Sequence, residues 1–308
     1  MKTLTVFTPA YNRAHTIGRT YESLLRQTCK DFEWLVVDDG STDNTRELVE
    51  GWISEGKIPI KYVWQENQGM HGAHNCAYAN IETELNVCID SDDLMPDDAV
   101  EKIVSFWKEN YRDEDKDRIA GILGLDADLS GKVLGTEFPS DLKETTLRDY
   151  YELLGGSGDK KLVYRTEVVK KYPPYPLFEG ERYVGLALLY NMIDEDYKLL
   201  VCNQIMCNVD YQPEGSSFSM WRQYWNNPKG FAHYRKYDMQ HARTFKRRFM
   251  LNVHYVSHSF RSRNKKFLRE SPRKLMTFMA IPFGWGLYLV NRRKVKKGAQ
   301  FNFSKEKK

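Results

Sequence analysis

The sequence is poor in cysteine and lacks the motifs of several common enzyme classes. It has five cysteines and no C-x-x-C pair, which argues against a zinc site and indicates reduced thiols in a cytosolic protein. No G-x-G-x-x-G follows the first apolar stretch, so a dinucleotide-binding dehydrogenase is disfavoured. Met1-Lys2-Thr3 leads directly into Leu4–Pro9, which is too short and too strand-like for a secretory signal peptide. We therefore expect a cytoplasmic protein.

Acidic residues are scarce towards the C-terminus. Residues 229–308 hold 22 lysines and arginines but only three acidic residues. The whole chain has 46 lysines and arginines, 42 aspartates and glutamates, and a net charge of only +4. Residues 1–228 are therefore acidic, with 24 basic and 39 acidic side chains. This asymmetry predicts an acidic catalytic or metal-binding body and a basic extension for an anionic surface. Because no nucleic-acid-binding motif accompanies the basic residues, we expect no nucleic-acid partner.

Long apolar runs are also missing. The longest, Leu275–Val290, has 16 residues, is broken by Pro282, and is flanked by Arg273-Lys274 and Arg292-Arg293-Lys294. A membrane span needs about 20 apolar residues. The pattern favours an interfacial helix on an anionic leaflet. The alternative is that the run packs on the rest of the protein and its charges are merely solvated.

The first 125 residues alternate between apolar strands and amphipathic helices. The predicted strands are Leu4–Pro9, Phe32–Val37, Ile60–Trp64, Leu85–Ile89 and Ile119–Leu125. Such alternation predicts an α/β fold with a mainly parallel sheet flanked by helices. Ligands of such sheets bind at the carboxyl ends of the strands.

Beyond residue 125 the pattern is less regular. We expect a helix over Leu147–Leu154, a strand over Leu162–Arg165, a helix over Tyr183–Ile193 and strands over Lys198–Cys202 and Ile205–Tyr211. Gln212–Ser219 is a polar loop of the kind that can close over a ligand. Helices follow from Pro228. We predict a catalytic domain over residues 1–227, with a nucleotide-binding half (1–110) and an acceptor-side half (111–227), and a helical basic extension over 228–308.

Two predicted strands end in clustered carboxylates. Asp38 and Asp39 follow the second strand, and Asp90, Asp92 and Asp93 follow the fourth. Carboxylates this close repel one another unless their pKa values rise or a cation neutralises them. Oxygen ligands suit Mg²⁺ or Mn²⁺, which commonly also hold a substrate phosphate. The sequence thus predicts a cation-dependent site for a nucleotide diphosphate.

These motifs resemble those of the family 2 glycosyltransferases, which have the GT-A fold. Thr8-Pro9-Ala10-Tyr11-Asn12-Arg13 is similar to the first-strand motif of that family, and residues 37–43, reading VDDGSTD, to its V-D-D-G-S-x-D signature. Asp90-Ser91-Asp92-Asp93 resembles its D-x-D region. Together with Asn67-Gln68-Gly69 and Asn75, which lie between the last two motifs, these motifs occur in family order. The resemblance covers roughly residues 3–100.

The resemblance implies roles for individual residues. Asp39 would accept a hydrogen bond from the ring N–H of uracil or thymine, and Asp92 would be the principal ligand of Mn²⁺ or Mg²⁺, with Asp90 and Asp93 nearby. The remaining residues expected at the nucleotide sugar are Thr8, Pro9, Tyr11, Arg13, Asn67, Gly69, Asn75 and Ser91.

The sequence departs from the family pattern in two places. Ala73-His74-Asn75 stands where the family often has A-R-N, so His74 would replace an arginine or would be an ordinary core or surface histidine. The late acidic motif of the family is represented only by Glu179-Gly180-Glu181-Arg182. We take Glu181 as the general base and Glu179 as the reserve.

The combined interpretation is an inverting, metal-dependent transferase that moves a sugar from a UDP- or dTDP-sugar to a lipid-linked or growing polysaccharide. It would work in capsule or exopolysaccharide synthesis on the inner face of a bacterial membrane. The donor sugar, the acceptor, the linkage and the oligomeric state stay open. The alternatives are a metal-dependent phosphohydrolase and a catalytically degenerate nucleotide-sugar-binding scaffold on the membrane. The phosphohydrolase would need an early nucleophilic aspartate, and Leu4–Pro9 ends in none.

Overall fold

The computed structural model describes residues 2–210 and 220–297, so the predicted loop Gln212–Ser219 lies outside the described residues. The chain divides into two compact units. The first comprises Met1–Pro174 and Leu189–Asp210, and the second comprises Tyr175–Leu188 and Tyr211–Lys308. This division does not coincide with the predicted boundary at residue 227, because residues 175–188 group with the C-terminal helices.

The first unit contains an eight-stranded sheet with the order β3-β2-β1-β4-β7-β5-β8-β6. Its strands are β1 (Leu4–Ala10), β2 (Phe32–Asp38), β3 (Ile60–Trp64), β4 (Leu85–Cys88), β5 (Ile119–Asp128), β6 (Glu144–Thr145), β7 (Lys160–Arg165) and β8 (Lys198–Val209). Strand β1 pairs in parallel with β2 on one side and with β4 on the other. Strand β7 enters antiparallel between β4 and β5. The mainly parallel α/β sheet confirms the predicted fold class.

Helices follow the first strands as the alternation predicts. They are α1 (Ile17–Leu25), α2 (Thr45–Glu55), α3 (Met70–Asn80) and α4 (Ala99–Asn110), with the later short helices α5 (Leu147–Glu152), α6 (Thr166–Val169) and α7 (Ala187–Ile193). The apolar faces of α1 and α4 pack on the sheet through buried side chains such as Leu24 and Ile103. Burial of this kind stabilises the sheet and holds the loops at its carboxyl edge.

Three predicted elements differ from the structure. Helix α3 begins at Met70 rather than Ala73, since Gly69 has a φ of +81° and makes the turn into the helix. The segment 198–209 is one strand rather than two, and an irregular register against β5 absorbs the polar interruption. Helix α7 begins at Ala187 rather than Tyr183. The apolar pattern there marks burial, because Val184 is buried in a segment that is not helical.

The described C-terminal part of the second unit, residues 220–297, is mainly helical. It contains α8 (Met220–Asn226), α9 (Pro228–His241), α10 (Phe245–Arg261), α11 (Phe267–Glu270) and α12 (Lys274–Lys296). Helix α12 lies so close to α10 that a Cβ on Gly284 would come within 2.5 Å of Val256. The Thr277 hydroxyl also donates to Asn252 Oδ1 at 2.5 Å. Among residues 2–210 and 220–297, no helix combines the length and the apolar character that crossing a bilayer requires.

Candidate active site at the carboxyl edge of the sheet

The two acidic strand ends share one edge of the sheet. Strands β2 and β4 both run parallel to β1 and lie on either side of it. Asp38 closes β2 and Asp39 follows it, while Asp90, Asp92 and Asp93 follow β4 within five residues of Cys88. Because parallel strands finish at the same edge, the topology brings both groups of carboxylates to one rim in the first unit.

Asp39 is tied to the loop that leads into α3. Its Oδ1 accepts hydrogen bonds from the backbone N–H of Gln68 at 2.8 Å and from Gln65 Nε2 at 2.6 Å. Its Oδ2 accepts from the backbone N–H of Gly69 at 2.8 Å, and Asn67 Nδ2 donates to its carbonyl oxygen at 2.9 Å. Donors at a helix N-terminus favour a charged carboxylate. The structure thus brings Asp39, Asn67 and Gly69 together.

Asp38 fixes the start of the neighbouring loop. Its Oδ1 accepts from the backbone N–H of Ser41 at 2.7 Å, and its Oδ2 accepts from the Tyr62 hydroxyl at 2.6 Å. Asn12 reaches the same loop, where its Oδ1 accepts from the backbone N–H of Thr42 at 2.8 Å. Asn12 has a φ of +53°, in the left-handed region that asparagine tolerates better than most residues. The loops after β1 and β2 therefore form one hydrogen-bonded surface.

The residues of the first-strand motif that are expected at the nucleotide sugar differ in exposure. The Tyr11 side chain is 48% exposed at the end of β1. Thr8 and Pro9 are buried within the strand, and the Thr8 hydroxyl accepts the indole N–H of Trp34 at 2.9 Å. Arg13 is half-buried, and its backbone N–H donates to the Thr45 hydroxyl. Tyr11 and Arg13 thus have side chains within reach of a ligand, whereas Thr8 supports the strand from inside.

Asp90, Asp92 and Asp93 occupy a tight turn, closed by a hydrogen bond from the backbone N–H of Asp93 to the carbonyl of Asp90 at 3.0 Å. Burial, together with the charge of Asp90, raises the pKa of Asp92, and the guanidinium of Arg13 opposes that rise. The Asp93 carboxylate accepts from the backbone N–H of Asp210 at 3.1 Å. Burial, followed by the charge of Asp90, raises the pKa of Asp93 to about 7. Asp93 is thereby held against the end of β8, while Asp90 and Asp92 remain partly exposed; Ser91 is buried between them.

A buried ion pair beside the rim was not predicted from the sequence. Lys161 Nζ on β7 lies 3.7 Å from Asp126 Oδ1 on β5. Burial lowers the pKa of Lys161, but the surrounding acidic groups, Asp126 foremost, outweigh it and hold that pKa well above its usual value. Asp93 and Asp90 are among those groups, so Lys161 offsets part of the negative charge of the rim. In the sequence, Lys160 and Lys161 simply begin an apolar strand. Two lysines at that position are equally typical of a strand end exposed to solvent.

His74 and Asn75 lie on adjacent positions of α3 but in different surroundings. His74 is fully buried, its Nδ1 is 2.9 Å from the Met70 carbonyl, and its ring meets that of Phe7 edge-on at 5.2 Å. Burial lowers its pKa, so His74 is a core residue. Asn75 lines a cavity of about 370 Å³ in the first unit together with Tyr78, Tyr172 and six other residues.

The predicted base lies in the second unit. Glu181 is 7% exposed, and its two carboxylate oxygens accept from the backbone N–H groups of Lys229 at 2.9 Å and Gly230 at 2.8 Å. These donors belong to the first turn of α9. Burial raises the pKa of Glu181, and the two N–H groups oppose the rise. Glu179 is exposed. Glu181 therefore caps α9, and its role as a base stays a prediction.

No group of three or more His, Cys, Asp or Glu side chains that could enclose a metal ion occurs among the residues that the structure describes. The partly exposed carboxylates of Asp90 and Asp92 are oxygen donors of the kind that Mg²⁺ and Mn²⁺ prefer. For these ions one or two protein carboxylates are sufficient when substrate phosphates and water complete the shell. The donor set therefore fits a metal that is shared with a bound diphosphate.

Comparison with known proteins gives a family match for the half of the chain that carries this rim. The family model described as glycosyl transferase family 2 matches residues 5–165. Chondroitin synthase from Escherichia coli is 37% identical over 108 residues, which cover 35% of this chain and 16% of that protein. The matched stretch spans about a third or less of the length of the first curated relatives.

Solved structures resemble nearly the whole chain. TarS 1–349 from S. aureus, in complex with UDP-GlcNAc, has a TM-score of 0.55 and 18% identity and covers 98% of this chain and 93% of its own. A mannosyltransferase from Pyrobaculum calidifontis, in complex with GDP-Man and Mn²⁺, has a TM-score of 0.54 and 16% identity. The match covers 92% of this chain and 73% of the mannosyltransferase. At this identity the likeness shows the fold, which is the predicted GT-A fold.

Proposed function

Since the chain belongs to glycosyl transferase family 2, we propose that it transfers a sugar from a UDP- or dTDP-sugar to a lipid-linked or growing polysaccharide, with inversion at the transferred carbon. One observation carries the proposal: the acidic ends of β2 and β4 lie at the same sheet edge, on either side of β1. The two groups of carboxylates then have separate tasks. Asp39 would select the nucleotide base, and Asp92 would hold the divalent cation that binds the diphosphate.

The task of Asp39 follows from its fixed orientation. Backbone N–H groups hold both of its oxygens at the rim, so little conformational freedom is lost when it accepts a further hydrogen bond. A uracil or thymine ring presents an N–H that a carboxylate can accept with a charge-assisted bond. Tyr11, exposed beside it, would contact the base or ribose. TarS 1–349, which has the same fold, has been solved in complex with UDP-GlcNAc, which supports a uridine nucleotide.

The task of Asp92 is to hold a divalent cation on the leaving diphosphate, with Asp90 beside it. A bound Mn²⁺ or Mg²⁺ would stabilise the negative charge that develops on the diphosphate. Asp93 would shape the turn, since its carboxylate is engaged by Asp210. The mannosyltransferase of similar fold has been solved in complex with GDP-Man and Mn²⁺, which supports a divalent ion without deciding between the two metals.

Inversion needs a base to take the proton of the acceptor hydroxyl as the new bond forms. We assign this role to Glu181, with Glu179 as the reserve. Burial raises the pKa of Glu181, which makes the carboxylate a stronger proton acceptor. The two backbone N–H groups of α9 fix its orientation. In an inverting reaction the base acts opposite the leaving group, so it must come from outside the Asp90–Asp93 cluster.

Capping of α9 by Glu181 also favours the second candidate function. If that carboxylate serves only the helix, the protein could be a nucleotide-sugar-binding scaffold without transferase activity. Hydrolysis of the donor in the absence of acceptor separates the two functions, because it needs the rim but no acceptor. A phosphohydrolase has less support, since β1 ends in Pro9-Ala10 and supplies no nucleophilic carboxylate.

We further propose that the second unit docks on an anionic membrane surface. The large apolar side chains exposed on α12 share one side of the helix, at helical spacing: Leu275, Phe278, Met279, Phe283, Trp285 and Val290. The opposite side is buried through Thr277, Ala280, Gly284 and Asn291. Basic residues flank the exposed stripe at both ends of the helix. An apolar stripe between cationic ends is typical of helices that lie in the membrane interface.

The donor can be identified by thermal-shift screening against UDP-, dTDP-, GDP- and CMP-sugars, each with and without Mn²⁺. A ligand that binds only the native state raises the melting temperature. We expect the UDP- or dTDP-sugars to give the largest rise and to be hydrolysed slowly without acceptor. Selective binding of GDP- or CMP-sugars would contradict the assignment of Asp39. Binding without hydrolysis, even after addition of lipid-linked acceptors, would favour the scaffold.

A further inference from the structure

A groove in the second unit, between α11 and the beginning of α12, has no part in the proposed transfer. It is open to solvent, has a volume of about 590 Å³ and is lined by Lys265, Leu268, Arg269, Lys274, Leu275 and Phe278. Three of these side chains are cationic and three are apolar. A surface that mixes the two kinds around one cavity suits a ligand with an anionic head and a hydrocarbon body.

The positive charge of the groove is not neutralised by neighbouring side chains. Among the residues that the structure describes, Lys265, Arg269 and Lys274 take part in no salt bridge. The adjacent acidic residue, Glu270, is engaged elsewhere: its Oε2 accepts from Asn264 Nδ2 at 2.9 Å and lies 3.9 Å from Lys236 Nζ. Lysine and arginine bind phosphate oxygens through charge-assisted hydrogen bonds. The groove is therefore equipped for a phosphate group.

The apolar side chains of the groove belong to a larger exposed surface. Leu275 is 74% exposed and Phe278 is 60% exposed, and both lie in the apolar stripe of α12. Contiguous exposed apolar side chains mark an interaction surface. Hydrocarbon seated over Leu275 and Phe278 would thus continue along the stripe towards Met279 rather than end in water.

The charge pattern decides between possible occupants. The 23 residues of α12 include no aspartate or glutamate, so pairing two copies through this face would bring like charges together. A free inorganic anion would engage the cations and leave Leu275 and Phe278 in water. A neutral hydrocarbon would cover the apolar residues and leave the cations without a partner. A lipid with a phosphate head satisfies both sets.

We infer that this groove binds the phosphate head of an anionic membrane lipid, with the hydrocarbon of that lipid packed over Leu268, Leu275 and Phe278. The inference rests on the proposed docking of the second unit on a membrane and makes it specific. The protein would hold an individual lipid at one place, in addition to any general attraction between its basic residues and an anionic surface. The lipid site would also fix the orientation of α12 on the bilayer.

The test compares two charge-matched triple variants of the full chain. Lys265→Gln, Arg269→Gln and Lys274→Gln remove three charges from the groove. Arg292→Gln, Arg293→Gln and Lys296→Gln remove three charges from the other end of α12. Both are measured by co-sedimentation with vesicles of phosphatidylcholine containing phosphatidic acid. We expect the groove variant to lose at least about tenfold more affinity than the control variant, because it alone removes charge-assisted bonds to a seated phosphate.

A third variant tests the apolar half. Leu275→Ser with Phe278→Ser keeps every charge, and we expect it to weaken vesicle binding as well. All the substituted side chains are solvent-accessible, so the melting temperature should stay close to that of the wild type. Glycerol phosphate in solution should compete poorly, since it lacks the hydrocarbon.

Four results would overturn the inference. Equal losses in the two triple variants would mean general electrostatic attraction, and unchanged binding by the serine variant would remove the hydrocarbon contact. Effective competition by glycerol phosphate would indicate a site for a soluble anion. No binding of wild-type protein to these vesicles would refute both the groove and the membrane docking. Donor hydrolysis, measured in parallel, tests the proposed transferase activity independently of these four vesicle-binding results.

Discussion

Asp39 Oδ2 accepts a hydrogen bond from the backbone N–H of Gly69 at 2.8 Å, which ties the acidic end of β2 to the first turn of α3. The same carboxylate accepts from the N–H of Gln68. The signature that marks the nucleotide site in the sequence therefore also holds the neighbouring helix in place. Substitution of Asp39 should affect ligand binding and stability together, and a test must separate the two.

Asp39→Ala should weaken binding of the pyrimidine nucleotide by about 1.5–3 kcal/mol, the range for a hydrogen bond to a charged group. It should also lower the free energy of unfolding by about 1–3 kcal/mol, because buried N–H groups lose their acceptor. Calorimetric titration with UDP, well below the melting temperature of the variant, measures the first effect. Chemical denaturation measures the second.

Asp31→Ala is the matched control for Asp39. Asp31 precedes β2, at the opposite end of the strand, and its carboxylate accepts from the backbone N–H of Thr3 at 3.0 Å and from the Thr3 hydroxyl at 2.6 Å. Its removal should lower stability without changing nucleotide affinity. Equal affinity losses in both variants, or none in Asp39→Ala, would place base recognition elsewhere.

Asp92→Asn should abolish transfer and weaken binding of the nucleotide diphosphate, while the fold stays intact, because Asp92 is partly exposed at the rim. Asp97→Asn is the control: Asp97 is exposed, and its carboxylate pairs with Arg26 at 2.9 Å. Steady-state assays in Mn²⁺, in Mg²⁺ and in EDTA give the measurement. Full activity of Asp92→Asn, or of the wild type in EDTA, would eliminate the metal role.

The sequence predicted the part of the fold that local patterns encode. Each of the first five strands lies within a few residues of its predicted position, and the two acidic ends share one sheet edge because β2 and β4 flank β1. Residues 37–43 and 90–93 follow β2 and β4, and because both strands run parallel to β1, the topology places these residues at one edge.

Long-range partners were not predictable in this way. Lys161 meets Asp126 because β7 enters the sheet antiparallel beside β5, and neither strand carries a local sign of that pairing. Glu181 is almost fifty residues from Lys229 and Gly230, whose amides it accepts from. Its capping of α9 could therefore not be predicted from local sequence patterns. For Thr8, no local pattern indicates that the indole N–H of Trp34 donates to its hydroxyl.

Met279→Ser combined with Trp285→Ser should weaken binding to anionic vesicles by at least about tenfold, since each side chain would bury apolar area worth about 1.5 kcal/mol or more on the membrane. High salt should weaken binding further by screening the basic ends of α12. Leu153→Ser with Leu154→Ser removes two exposed apolar side chains from the first unit and should have no effect. Point substitutions are preferable to deleting residues 275–308, because Thr277 and Gly284 pack on α10.

The second unit should lose stability in mild acid. Burial, with the charges of Arg235 and Arg247, lowers the pKa of His254 to about 3, and burial together with His254 and Arg235 lowers that of His258 well below its usual value. In the unfolded chain both protonate near pH 6.5. Below that pH the unfolded state therefore binds more protons, and the free energy of unfolding falls as the pH drops from about 6.5 towards 3.

The size of this acid effect is about 1.4 kcal/mol per pH unit for each histidine that only the unfolded state protonates. Urea denaturation of the wild type and of a double histidine variant at pH 7.5 and 5.5 isolates this effect from the opposite contribution of Asp93, whose raised pKa of about 7 adds stability as the pH falls. His254→Gln with His258→Gln should reduce the difference between the two pH values, whereas His15→Gln, at an exposed position, should not. If the free energy of unfolding of the double variant changed with pH as steeply as that of the wild type, other groups would be the cause of the acid sensitivity.

Glu181 offers the most decisive test, because capping and catalysis predict different results for one substitution. Its carboxylate accepts from the N–H groups of Lys229 and Gly230, so Glu181→Gln should lower the free energy of unfolding by about 1–3 kcal/mol. If Glu181 is also the base, kcat should fall by at least about 100-fold at saturating donor, the lower range for general-base catalysis. Donor affinity should then stay within a factor of about two or three, because a base for the acceptor hydroxyl contributes little to donor binding.

Thr244→Ala provides the control for stability alone. Thr244 caps α10 by accepting from the backbone N–H of Arg247 at 3.2 Å, and its loss should cost about 1 kcal/mol while kcat is unchanged. A Glu181→Gln protein that melts earlier but transfers at the wild-type rate would leave Glu181 as a cap only. Loss of rate in Glu179→Gln would then give the catalytic role to Glu179. If both variants kept full activity, the base would have to be another residue outside the rim, because the rim carboxylates are proposed to act on the side of the leaving diphosphate.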